Sequence, residues 1–511
     1  TLMGNEGTTG NKVNLAANVA ITVSAGTTTA AQLNTINAGT TGLVTATAVT
    51  AISGTGAQLN TLAGNEGTTG DKVDLLASVA ITVDTGTFTV AHANAISAIT
   101  SGVVTGTITE TDITALDDLT GTGNAYTITV ATTSVTASAL NTVDGATTEA
   151  VTATAVTTIT GAAADVNTAY ASSGITGLAD EAVTLTGSSV SASDLHTLDN
   201  NTSDVVDASS ITTISGTASD VAAVYVGGEA GTISNLGNEK VTLSGSVSIT
   251  DANLINSYTT GVVTATISAG DLSSLASLNG DNNQLFTITV TDTSVSASDV
   301  IDLEAKTGTS VTLTAATLIT GTAAQLESIY THSDNSRLSL SSSVKLTVSD
   351  STVSISDINN LSSKTTGNVT ATIASGTYAS LSGDLTETTN AYAMTVSDSI
   401  TVSEFNTLAA RTTGNITATI STTAATTLDD IAETGHSLTI TVATASVTTA
   451  QLTAINNATT LDVTATAVTK ITGSLSEANT VYSSGFTGLG NEAVILTDTT
   501  AAAADLNTLD G

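Results

Sequence analysis

The chain of 511 residues carries 45 Asp and Glu against nine Lys and Arg, a formal net charge of −36, and has no proline, cysteine or tryptophan. Phosphate binding needs clustered Lys and Arg, so the composition excludes nucleic acid and anionic membrane surfaces as partners, and the lack of cysteine excludes a disulfide framework and thiolate chemistry. Hydrophobic residues reach 40% and charged ones only 11%, which excludes a disordered acidic tail, and no apolar run is long enough to predict membrane insertion.

Along the chain one leucine-centred phrase returns about nineteen times, as in TAAQLNTINA at 29–38, TASALNTVDG at 136–145, SASDLHTLDN at 191–200 and AAADLNTLDG at 502–511. Its anchor falls at Leu33, Leu59, Leu140, Val166, Leu195, Val221, Leu254, Leu272, Val300, Leu326, Ile358, Phe405, Leu452 and Leu506. Weaker copies centre on Ala93, Ile113, Tyr378 and Ala478, and one near 426 is blurred. Most steps are 26–29 residues, with others near 20 or 33, a period that signals stacked repeats.

The stretch 183–226 shows the unit. Val183 and Leu185 alternate with Thr184 and Thr186, the period of a half-buried strand. Ser191 and Asp194 then have capping-box spacing, a device that returns at Thr217/Asp220, Ser296/Asp299, Ser354/Asp357, Thr401/Glu404 and Ser474/Glu477. Leu195 and Leu198 share one face of a short helical turn, and a second strand follows at 205–215. The expected fold is therefore all-β with short helical turns: a parallel β-solenoid, or β-helix, of about nineteen coils, roughly 90 Å long at strand spacing. It runs through 1–511 as one continuous repeat solenoid. Leu195, Val300 and Phe405 stand 105 residues apart, which brings tandem immunoglobulin-like sandwiches into view. A capped helical turn in every repeat argues against them. The opening TLMGNEGTTG nearly repeats TLAGNEGTTG at 61–70, and the closing LNTLDG matches the phrase before such a segment, so both ends read as cut within a repeat.

Three columns emerge when the repeats are stacked. The residue before the anchor is usually acidic or an amide: Asp165, Asp194, Asp220, Asp271, Asp299 and Asp357 are candidate oxygen ligands for Ca²⁺. Helix capping accounts for the same acids without a metal. Thr-X-Thr pairs run from Thr45/Thr47 to Thr464/Thr466 and resemble ice-binding rows, although threonine also suits any solvated strand. Tyrosine follows the anchor by four at Tyr170, Tyr225, Tyr258, Tyr330 and Tyr482, where packing is expected and a glycan or surface ligand is the functional reading. The histidines share no spacing, and Arg337 and Arg411 stand apart from any acidic constellation, so no enzyme is expected.

The TAxxLNTLDG phrase resembles phage tail-fibre repeats. The longer ITGAAADVNTAYASSGITGLADEAV at 159–183 and ITGSLSEANTVYSSGFTGLGNEAV at 471–494 resemble long secreted repeat proteins of marine cyanobacteria and other bacteria, and that likeness extends over essentially the whole chain. The resemblance implies an extracellular, cell-surface protein: a structural component of a filament, sheath, surface layer or giant adhesin that self-associates end to end or in a lattice. The alternative is a binding module that recognises ice, glycan or a host surface through its Thr or Tyr rows, including a phage-fibre shaft.

Overall fold

The computed structural model describes residues 16–510, so the opening TLMGNEGTTG lies outside the described residues. These residues form two compact units. One runs up to Val247 and includes Leu254–Ala265; the other holds Ser248–Asn253 and the chain from Thr266 onward.

In the first unit the strands pair in parallel with their counterparts in the next repeat. Strands Ser134–Thr136, Thr158–Gly161, Ala182–Leu185, Val206–Asp207 and Ile233–Ser234 make one such sheet. Its register places Val135, Ile159, Val183, Val206 and Ile233 in one file. All five are buried. The adjoining file of Thr136, Thr160, Thr184, Asp207 and Ser234 faces outward, as strand alternation requires. The second unit repeats the scheme: Val295, Ile319, Leu346 and Val369 align in register and are buried. Side chains of this size cannot close a core within one repeat, so each file is covered only by its neighbours.

A long repeat reads strand, bend, strand, helix: Ala182–Leu185, Ser189–Ser191 and helix Ala192–Asn201 are followed by Val206–Asp207, Thr213–Gly216 and helix Ala218–Ala230. Short repeats have one strand and a helix of four to seven residues, as in Val104–Thr107 before Ile113–Leu116 and Val369–Thr372 before Tyr378–Asp384. These are the steps of about 20 residues.

The expectation of an all-β fold needs correction. Nineteen helices occur among the described residues and account for a third of them, so the chain is a parallel array of strand–helix units. The leucine phrase outruns a single turn because nothing in it breaks a helix. Its threonines also bond back to the preceding turn, as Thr35 Oγ1 does to Ala31 O and Thr197 Oγ1 to Ser193 O.

The inward residue is the fourth after the N-cap. Thr29 precedes Leu33, Ser191 precedes Leu195 and Thr401 precedes Phe405, and all three anchors are buried. This rule moves four assigned anchors. In helices capped by Asp112, Asp271 and Thr377 the inward residues are Leu116, Leu275 and Leu381, while Ile113, Leu272 and Tyr378 occupy the first helical position. In helix Ile249–Tyr258, Ala252 and Ile255 are buried and Leu254 is 42% exposed. A leucine was the wrong guide there, because the smaller alanine sits where the backbone aims inward.

Candidate functional site

The polar groups of the interior are spent on joining one repeat to the next. Thr40, Thr202, Thr259, Thr307, Thr412 and Thr459 are buried just after their helices. The hydroxyl of each donates to a carbonyl in or just before a strand about one repeat earlier: Thr202 to Glu181 O at 2.6 Å, Thr259 to Glu239 O at 2.7 Å, Thr412 to Tyr392 O at 2.8 Å. The same oxygen accepts the N–H two residues on, as from Gly261 at 2.9 Å and Gly414 at 2.9 Å. Asp204, Thr309 and Leu461 fill that second place after Thr202, Thr307 and Thr459, and where glycine fills it there is no room for a Cβ. A Cβ on Gly261 would stand 2.2 Å from Glu239 O, and one on Gly102 would stand 2.3 Å from Val79 O. The signal lay in the sequence as Thr-X-Gly (GTTG, YTTG, KTTG, RTTG) beside the Thr-X-Thr pairs that drew attention instead.

A second ladder joins the helices. The asparagine after the anchor donates Nδ2 to a carbonyl of the following repeat: Asn141 to Asp165 O at 3.0 Å, Asn167 to Asp194 O at 2.8 Å, Asn406 to Asp430 O at 3.0 Å. Where the next helix is short, Oδ1 also accepts, as from Ala432 N–H at 3.0 Å.

A third device uses acids. The first amide of a helix is bonded by a carboxylate one repeat later: Val90 N–H by Glu110 at 3.1 Å, Leu272 by Asp292 at 2.7 Å, Ala323 by Asp350 at 2.7 Å, Tyr378 by Asp398 at 2.9 Å. Thr132 and Thr444 do the same for Ile113 and Ala425. An anion at a helix N-terminus is favoured by the unpaired amides and the helix dipole.

The six candidate calcium ligands are distributed as follows. Asp165, Asp194, Asp220, Asp299 and Asp357 lie in the first turns of their helices, whereas Asp271 is itself an N-cap, with Oδ1 accepting Ser274 N–H at 2.7 Å. Asp220 and Asp357 accept the hydroxyls of Thr217 at 2.8 Å and Ser354 at 2.7 Å. The reciprocal capping box expected at six places closes at Thr401/Glu404 and Ser474/Glu477, and also at Thr29/Gln32 and Thr448/Gln451. At the aspartates the side chain is one methylene shorter than the motif's Glu or Gln and bonds the hydroxyl where it bonds the cap at all. Ser296, before Asp299, makes no side-chain cap. The N–H of Ser274 and its neighbouring hydroxyls hold Asp271 below the usual carboxylate range, and the Ser474 N–H with the Thr449 hydroxyl does so for Glu477. Among the described residues no three His, Asp or Glu side chains converge on one point.

The Thr-X-Thr pairs split. Thr417 and Thr419 share one strand, but Thr152 ends a strand and Thr154 lies in the bend after it. The tyrosine column holds at Tyr170, Tyr225 and Tyr482, and its partner is a glutamate 10 to 14 residues further on. The hydroxyls donate to Glu181 at 2.8 Å, Glu239 at 3.1 Å and Glu492 at 3.0 Å. Glu181 and Glu239 are fully buried. Burial, and then the neighbouring Glu492, pushes the Tyr482 hydroxyl up to about 12; burial raises Tyr170 and Tyr225 too. Tyr258 does not belong to this column, because its inward residue is Ala252; its ring stacks on Tyr225 at 5.2 Å and 13°.

Arg337 stands in a cluster with an acid after all, contrary to its isolation in the sequence. Its guanidinium pairs with the carboxylate of Glu304, which is 5% exposed, and reaches Asn282 Oδ1 and Thr307 O, both at 2.9 Å. His332 Nδ1 lies 3.3 Å from the other Glu304 oxygen. The cluster ties three successive repeats together. Arg411 donates to Leu385 O at 2.6 Å and Lys306 to Leu278 O at 2.8 Å, so bases close carbonyls at the ends of earlier helices. No helix among the described residues is long and apolar enough to cross a membrane.

No protein-family model matches the chain, and no curated protein matches it. Among solved structures, that of the Arabidopsis receptor kinase HAESA in complex with the peptide hormone IDA and the co-receptor SERK1 aligns over 83% of this chain and 72% of that one, at 11% identity and a TM-score of 0.15, which carries no argument about this chain.

Proposed function

We propose that the chain is a non-catalytic structural repeat protein of an extracellular layer, sheath, filament or giant adhesin, continuing as a parallel solenoid of about nineteen coils. The observation that carries this reading is the buried threonine ladder. Residue after residue of interior polar chemistry is used to join a repeat to its neighbour, as in Thr202 to Glu181 O and Thr412 to Tyr392 O. A fold built this way grows by adding repeats and presents a long, regular, acidic surface. The resemblance of the 159–183 and 471–494 phrases to long secreted repeat proteins supports the same placement. Immunogold labelling of intact source cells tests it. Gold along an outer layer or surface fibres is expected; label confined to the cell interior contradicts it.

A further inference from the structure

We propose that the first unit carries a saccharide-binding groove, beside helix Ala218–Ala230, for a neutral oligosaccharide. The repeat departs from its own pattern here. In sibling repeats, helices Ala163–Ala171 and Leu475–Tyr482 end at or just after their tyrosines, and strands restart at Ile175 and Phe486. After Tyr225 the helix instead runs on through Ala230 to a left-handed cap at Gly231, as helix Ala323–Asp334 runs on past Tyr330, and the strand restarts only at Ile233. The overhang walls an open groove of about 490 Å³, closed on its other sides by the turn at Asn235–Leu236 and by Tyr258.

A second departure lies in that turn. Siblings place Gly177 and Gly488 there with φ of 93° and 89°, and a Cβ on either would stand 2.5 Å or 2.4 Å from a threonine of the preceding repeat. Here the position is Asn235, at φ 65°, an uncommon conformation for a residue with a Cβ. Its Nδ2 donates to Asp207 Oδ1 at 2.8 Å, so the exposed amide is held in place beside the groove. A further hollow of about 420 Å³ lies on the other side of the same turn.

The lining selects the ligand. Glu229 is its sole charged side chain, and no base accompanies it. On a chain of net charge −36 this disfavours phosphorylated, sulfated and uronic ligands. Carboxylate, amide and the Ser257 hydroxyl together offer mostly acceptors, which suit a ligand rich in O–H donors. Leu236 and the half-buried Tyr258 supply an apolar wall for the C–H face of a sugar ring. Tyr225 acts beneath them: 4% exposed and bonded to Glu239, it supports the Tyr258 ring by stacking.

Calorimetric titration of the purified chain with neutral tetrasaccharides of glucose, mannose and N-acetylglucosamine tests the inference, with a tetrauronate and tetralysine as charged controls. Binding of at least one neutral tetrasaccharide is expected, weakened tenfold or more in Asn235→Gly and Glu229→Gln. Asn235→Gly installs the residue that siblings already carry there, so loss of binding with an unchanged melting curve separates recognition from folding. No binding by any neutral tetrasaccharide, equal binding by the variants, or preference for either charged control would overturn it.

Discussion

Thr259 shows at the scale of one residue why this chain can do without large core side chains. Its hydroxyl satisfies the buried Glu239 carbonyl and the half-buried Gly261 amide at once. Thr259→Val keeps the shape and strands both groups, a loss of about 1–3 kcal/mol. Hydrogen exchange at single amides reads the loss where it falls. The Gly261 amide should exchange at least tenfold faster in the variant. Thr260→Val, which removes an exposed bond of 3.2 Å to Gly237 O, should leave exchange nearly unchanged. Equal effects from the two substitutions would show that the buried ladder carries no special share of stability.

At the scale of elements, the strand–helix alternation was legible because strands and capped helices leave different periods in a sequence. Anchor positions were legible where the prominent apolar residue stands four after the N-cap, as it does after Thr29, Ser191 and Thr401. They failed at Ile113, Leu254, Leu272 and Tyr378, where a prominent side chain was preferred to the spacing from the cap. The Arg337–Glu304–His332 cluster and the Tyr–Glu pairs were not legible, since stacking joins residues from distant phrases through a register the sequence does not print. The starts of short-repeat strands show the same limit. Val104 and Val369 N–H donate to Asn124 and Asn390 Oδ1, and Ile416 N–H donates to His436 Nδ1 at 3.1 Å. His436 is thus neutral, with its proton on Nε2. Burial holds its pKa below the ordinary 6.5, against the opposing field of Glu433. The unfolded chain takes up that proton as pH falls through 6.5, and the native chain does so only below its lowered value. Stability from this group is therefore complete above 6.5 and declines as pH drops beneath it. His436→Asn supplies the acceptor used at Asn124 and Asn390 without the titration. The fall in melting temperature between about pH 7.5 and 5 should shrink in the variant. An undiminished fall would remove His436 from the account.

For the whole molecule, charge is the main opposing force. Lys and Arg number nine against 45 acids, and among the described residues only Glu304 and Asp334 have ion-pair partners. Acid caps lower the cost locally by placing carboxylates at helix N-termini, but the remaining repulsion should yield to screening. Melting temperature is expected to rise with NaCl. Matched-ionic-strength melts in CaCl₂ separate screening from coordination: a larger gain in Ca²⁺ assigns a metal role to the acid column, and equal gains leave screening alone. Whether the repeats stack into an extended structural layer is decided by electron diffraction and cryo-microscopy of native material. Ordered fibres or sheets with an axial spacing of about 4.8 Å, the distance between paired strands, are expected. Dispersed particles that form no ordered array and show no such spacing would contradict that stacking.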